Sequence, residues 1–214
     1  MNLFDTQVKV CGITRPQDVG MCLQEDVRWI GLNLYAESPR SVDMSKAKQL
    51  LAQIPVGQRV YVDVAPSIST LHRAMDMGFD RYQIHFDYQD TNESQIEEWA
   101  EEVTPKLLWL APRLPLHTTF PKNILPYAWN FMVDVYSADA FGGTGITANW
   151  RHFRALRDTH HEKGWILAGG LNAGNIREAH DESGSHFLNL NSGVESEPGI
   201  KDRDKLHAVM QQFD

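Results

Sequence analysis

The chain has 214 residues, with 20 Lys and Arg against 28 Asp and Glu and a net charge of -8. That length suits one large domain with a full core, and the acidic balance argues against a role built on neutralising a nucleic acid or an anionic membrane. Only 2 cysteines are present, no charged start leads into an apolar secretion signal, and no apolar run reaches the ~20 residues of a membrane span, so a soluble protein of the cytoplasm is expected.

In chain order, the first β-branched run is VKVCGI from Val8, which puts Cys11 at its end and is followed by a helical stretch holding Cys22. WIGLNLY follows at 29, then a loop with Arg40 and the helical segment SVDMSKAKQLLAQI. RVYVDV at 59 reaches Asp63, and FDRYQIHF at 79 carries His85. After the helical NESQIEEWAEEV comes LLWLAPRL at 107, with Arg113 near its end. The next segment, PLHTTFPKNILPYA, contains three prolines and can hold only a turn or two of helix. WNFMVDV at 129 then leads to Asp134, and NWRHFRALRDTHHEKG reads as a helix. WILAGG at 165 and HFLNLNSG at 186 complete eight strand candidates.

Strands alternating with helices call for parallel crossover units, and eight such units predict an α/β fold, a single (β/α)8 TIM barrel over residues 1–214. An open doubly wound sheet is the main rival, but the first turn lacks the G-x-G-x-x-G signature. In a barrel the active site forms where strands end and βα loops begin. Cys11, Arg40, Asp63, His85, Arg113, Asp134, Gly170 and Ser192 are therefore expected around one mouth.

Three late glycine-rich segments, FGGTG, LAGGL and NSGVESEPG, predict a phosphate cradle. Glycine lets the backbone come close and point N–H groups at an anion, and this fold commonly binds phosphate after strands seven and eight. The candidate phosphate ligands are Gly143, Thr144, Gly145, Gly169, Gly170, Ser192 and Gly193. No spacing supports a metal site, and the adjacent His160 and His161 suit a helix end.

With KVCGIT, GLNLYAESPRSV, QIH, FMVDV plus GGTG, LAGGLNAGNI and SGVESEPGIKD in this order, the chain resembles the phosphoribosylanthranilate isomerase family of tryptophan biosynthesis from Val8 to about Lys205. The resemblance implies a cofactor-free Amadori rearrangement with Cys11 as general base and Asp134 as general acid. It also implies that Arg40 faces the anthranilate part and that the glycine segments hold the phosphate of a small phosphorylated sugar substrate. His85 is a further substrate-binding candidate, either stacking on the ligand or hydrogen-bonding within the mouth. Monomer and homodimer are both open.

Physical reasoning agrees with these roles, because ring opening needs a proton delivered to the furanose oxygen and enolamine formation needs one removed from C2. The apolar neighbours Phe131, Met132, Val133 and Val135 could desolvate Asp134 and favour its acid form. Side chains two apart in a strand share a face, so Lys9 is expected in the lumen one layer below Cys11, where its charge would favour the thiolate.

Five positions depart from the usual family pattern: Asp63 for asparagine, Phe86 for glycine, Ala148 and Asn149 for an aromatic and an acid, and Asn189 for aspartate. An extra carboxylate and a large ring at the mouth would alter the aminobenzoate pocket. Isomerisation of a related phosphoribosyl amine and a non-catalytic barrel that binds a phosphorylated metabolite are the alternatives. An aldolase or epimerase would need a Schiff-base lysine or a metal at the strand ends, and neither is evident.

Overall fold

A computed structural model describes residues 6–114, 119–134 and 150–213. Eight strands form one closed parallel barrel in the order in which they occur along the chain. They are β1 (Gln7–Val10), β2 (Trp29–Asn33), β3 (Arg59–Val64), β4 (Arg81–Asp87), β5 (Leu108–Arg113), β6 (Asn130–Asp134), β7 (Gly164–Ala168) and β8 (Phe187–Leu190). Closure comes from β8 pairing with β1, with Lys9 opposite Asn189.

The helices are α1 (Pro16–Gln24), α2 (Met44–Leu51), α3 (Ile68–Asp76), α4 (Glu93–Val103), α5 (Trp150–Thr159), α6 (Ile176–Ser183) and α7 (Arg203–Met210). Local chemistry marks several of their starts. The side chains of Asp43, Ser67, Asn92 and Asp202 each accept the backbone N–H of the third residue beyond, which satisfies a donor the helix itself leaves open. Between β5 and β6 the proline-rich segment makes only a 3-10 stretch, Lys122–Tyr127, with Pro126 inside it. A full helix is excluded there because proline removes a donor and crowds the preceding turn. After β8 the chain adds a small antiparallel pair, β9 (Glu195–Glu197) and β10 (Ile200–Lys201), turned at Pro198 and Gly199.

Alternation along each strand separates two cores. Outward-facing residues such as Val10, Leu32, Tyr61, Phe86, Phe131 and Leu167 pack under the helices. Inward-facing residues, among them Trp29, Val60, Val62, Trp109, Met132, Ile166 and Ala168, fill the lumen. Trp109 meets Trp29 and Phe187 edge to face, with centroids 5.2 Å apart in both pairs, and this plugs the N-terminal end of the barrel.

The same alternation corrects two expectations about the mouth. Phe86 is fully buried on the outer face of β4, where its ring centroid lies 5.7 Å from that of Trp99 on α4. It packs in the barrel–helix layer and neither fills nor lines the opening. Asp63 likewise points outward from β3, accepting the Tyr61 hydroxyl at 2.5 Å and the Val64 N–H at 2.8 Å. Both stand one residue off the inward-facing set Val60, Val62, Val64 and Gln83, His85, so the pleat turns them away.

Candidate active site

A cavity of about 380 Å3 opens at the C-terminal ends of the strands. Cys11, Arg40, His85, Asp134, Gly169, Gly170, Ser192 and Gly193 all line it. Of the other candidates, Asp63 and Arg113 are not among the described residues at this cavity, and Gly143, Thr144 and Gly145 lie outside the described residues, as do Ala148 and Asn149. Cys22 is buried in α1, and burial pushes its thiol up to about 12, which suits an inert core residue.

Cys11 follows directly on β1 and Asp134 ends β6, three strand steps away through β8 and β7. A carboxyl group and a thiol therefore face one ligand-sized space from different sides. Of the apolar neighbours expected to desolvate Asp134, Val135 lies outside the described residues, and among the described ones only Met132 shares its inward face and lines the cavity. Phe131 instead packs outward against Phe120 and Trp165, and Val133 joins the same outer core.

Beneath Cys11 lies Lys9, fully buried in the lumen as the two-residue spacing predicts. Its Nζ donates to Asn189 Oδ1 at 2.8 Å. Burial pulls the Lys9 pKa down, while the charge of Cys11 and a hydrogen bond to it pull the other way. Asn189 accepts the hydrogen bond without cancelling the charge, as an aspartate would. That leaves the cysteine as the acidic group next to this buried amine.

Histidine 85 lines the cavity from β4, and its Nε2 lies 2.6 Å from the Gln83 amide nitrogen. An amide N–H can only donate, so that ring nitrogen accepts and the imidazole is neutral. Burial, followed by the charge of Lys9, lowers its pKa to about 4. Between about pH 6.5 and pH 4 the unfolded chain then binds a proton that the native state refuses, so acidification through this window destabilises the fold. His85→Asn is expected to remove about 2 to 3 kcal/mol of the loss of stability between pH 7 and pH 4.5, read from urea unfolding at the two pH values.

Arg40 is presented by a locally braced loop. Asn33 at the end of β2 accepts the Tyr35 N–H at 2.9 Å and donates to Ser38 Oγ at 3.1 Å, and Ser38 Oγ accepts the Arg40 N–H at 3.2 Å. Gly12, with φ of 73°, completes the support, since a Cβ there would sit 2.7 Å from Arg40 Cδ and 2.9 Å from Asn191 Oδ1. The guanidinium donates through Nε and Nη2 to Glu195, a residue for which the sequence reading held no role.

On the phosphate side, the loops after β7 and β8 touch through their backbones. A Cβ on Gly193 would overlap the carbonyl oxygen of Leu171, so only glycine allows the two loops to close on each other. Gly193→Ala is expected to weaken competitive inhibition by inorganic phosphate at least tenfold and to cost about 1–3 kcal/mol of stability, measured by inhibition kinetics and thermal unfolding.

A family model described as N-(5'-phosphoribosyl)anthranilate (PRA) isomerase matches residues 8–212. The chain belongs to this family. It is 34% identical over 206 residues to the N-(5'-phosphoribosyl)anthranilate isomerase of Maridesulfovibrio salexigens, covering 94% of this chain and 95% of the relative. The isomerase of Zymomonas mobilis subsp. mobilis is 30% identical over 225 residues, at 97% and 98% coverage. The crystal structure of the Thermus thermophilus phosphoribosyl anthranilate isomerase superposes with a TM-score of 0.78 at 25% identity, covering 96% of this chain and 97% of that one. Among the described residues of this family member, no group of three or more His, Cys, Asp or Glu could hold a metal, and no helix is long and apolar enough to cross a membrane.

Proposed function

We propose that this chain isomerises N-(5'-phosphoribosyl)anthranilate to 1-(o-carboxyphenylamino)-1-deoxyribulose 5-phosphate in tryptophan biosynthesis, by general acid and base catalysis. The observation that carries this reading is the shared cavity. Cys11 and Asp134 face it from β1 and β6, and the glycine loops after β7 and β8 form another part of its wall.

In this reading Asp134 gives a proton to the furanose oxygen, and the C1–O bond breaks as the nitrogen lone pair forms the iminium. The thiolate of Cys11 then takes the C2 proton, and those electrons neutralise the nitrogen to leave an enolamine. Tautomerisation, with the C2 hydroxyl losing its proton and C1 gaining one, yields the ketose. Both transfers need groups within hydrogen-bond reach of the sugar, and a compact cavity lined from several strand ends provides that. Arg40 meets the ring carboxylate, and Gly169, Gly170, Ser192 and Gly193 supply N–H groups to the phosphate. Gly143, Thr144 and Gly145 belong to the same phosphate assignment. A neutral His85 serves as a hydrogen-bonding wall. The reading requires no cofactor, metal, nucleic acid or membrane, and it places a single (β/α)8 domain, as monomer or homodimer, in the cytoplasm.

The test is the loss of phosphoribosylanthranilate fluorescence on adding the wild-type protein. Turnover to the ketose is expected. Tight binding of the substrate without turnover would instead establish a phosphometabolite-binding barrel.

A further inference from the structure

Behind Arg40 lie two buried charges with no part in the chemistry above. Glu195 and Lys201 belong to the β9–β10 pair, and their side chains are 4% and 0% exposed. Both carboxylate oxygens of Glu195 accept Arg40 Nε at 3.0 Å, and Oε2 also accepts Arg40 Nη2 at 2.8 Å. Oε1 accepts Lys201 Nζ at 2.7 Å and the Gly199 N–H at 3.1 Å. Lys201 Nζ reaches further, donating to Asn191 Oδ1 at 3.0 Å, immediately before the loop that carries Ser192 and Gly193.

Burial opposes charge on Glu195, but the Arg40 hydrogen bond and the Lys201 charge outweigh it and hold the carboxyl below its ordinary range. Burial pulls the Lys201 amine down, while the charge of Glu195 and the hydrogen bond to it pull the other way, so one buried carboxylate is shared by two basic side chains. A guanidinium is a rigid planar fork, so fixing its Nε–Nη2 edge also fixes the direction of the Nη1 edge. Among the described residues Arg40 makes side-chain hydrogen bonds only through Nε and Nη2, and its guanidinium lines the cavity.

We propose that Glu195 is a positioning residue for substrate specificity: it clamps Arg40 so that the remaining guanidinium edge receives the ring carboxylate, while Lys201 holds Glu195 and ties the clamp to the loop after β8. This rests on the reading in which Arg40 meets that carboxylate. The selectivity of the cavity for an ortho-carboxylated aromatic amine then depends on a pair of residues that never touch the substrate.

The experiment compares steady-state kinetics on N-(5'-phosphoribosyl)anthranilate and on the phosphoribosyl aniline that lacks the carboxylate. Wild type is expected to favour the carboxylated substrate at least tenfold in kcat/KM, in keeping with a charge-assisted hydrogen bond. Glu195→Gln is expected to raise KM for that substrate about tenfold, with kcat within about threefold, and to leave the aniline kinetics as in wild type. Glu195→Asp, which keeps the charge but shortens its reach, is expected to fall between the two and provides the readout if the glutamine variant does not fold. Equal losses on both substrates, or full preference retained in the Glu195 variants while Arg40→Lys abolishes it, would overturn the clamp and leave the Arg40 assignment standing. A wild type that turns over both substrates equally well would overturn the Arg40 assignment, and the clamp with it.

Discussion

Cys11→Ser and Asp134→Asn are each expected to lower kcat on phosphoribosylanthranilate by about 10²- to 10⁴-fold, the range a positioned acid or base contributes. Both substitutions nearly preserve volume. Cys11 is only 5% exposed, and serine fills its place at the top of the lumen with little change in packing. A hydroxyl is a far weaker acid than a thiol, so it supplies almost no anion to take the C2 proton at neutral pH. The amide of asparagine keeps the shape of the carboxyl but has no acidic proton to deliver. Because neither residue is among those assigned to the phosphate or the ring carboxylate, binding of the ketose product is expected to stay within about threefold of wild type, a change of about 0.7 kcal/mol or less. Stopped turnover with intact product binding, measured by steady-state assay and fluorescence titration, is the pattern that assigns the two residues to chemistry. Full activity in either variant would remove that residue from the mechanism.

Lys9→Met is expected to separate activity from stability. A fully buried amine that meets an amide and a thiol rather than a carboxylate carries a desolvation cost that its partners only partly offset, and burial accordingly drives its pKa down. Replacing it with a methionine of similar length removes that cost, so the variant is expected to be as stable as wild type or about 1 kcal/mol more stable. Activity should move the other way. A positive charge beside a thiol favours the anion needed as base, so its removal is expected to lower kcat/KM at pH 7 by about tenfold or more. Steady-state kinetics check this, and an unchanged kcat/KM would show that Lys9 has only a structural place in the lumen.

How far the sequence reaches depends on which physical signal each residue carries. The barrel was legible because β-branched runs alternate with capped, amphipathic helices, and that periodicity is a local property of the chain. The proline-rich fifth connection was legible for the same reason, and its short 3-10 stretch follows from the missing donors. Cys11, Asp134, Arg40, His85 and the described glycine positions were legible as strand-end residues, and the closed strand order gathers them at one cavity.

Phe86 and Asp63 were misplaced because a strand end holds both inward and outward positions, and a one-residue difference in the pleat decides between cavity and outer core. The parity of Gln83 and His85 would have indicated the outward face for Phe86, as Val60 and Val62 would have for Asp63. Glu195 and Lys201 carried only the signal of a quoted motif. Nothing local marks a glutamate as buried, or as the partner of an arginine 155 positions earlier.

The amino-acid sequence by itself determined the number and order of the elements, the parallel barrel they require and the strand ends at which chemistry could gather, because propensity, capping and hydrophobic period act between neighbours in the chain. The tertiary structure alone decided which strand-end residues face the lumen, that the amine of Lys9 is paired with an amide under the thiol, and that Arg40 is held by a buried carboxylate. Those outcomes depend on pleat parity, barrel closure and low-dielectric pairing between residues far apart in sequence, which exist only once the chain has closed on itself.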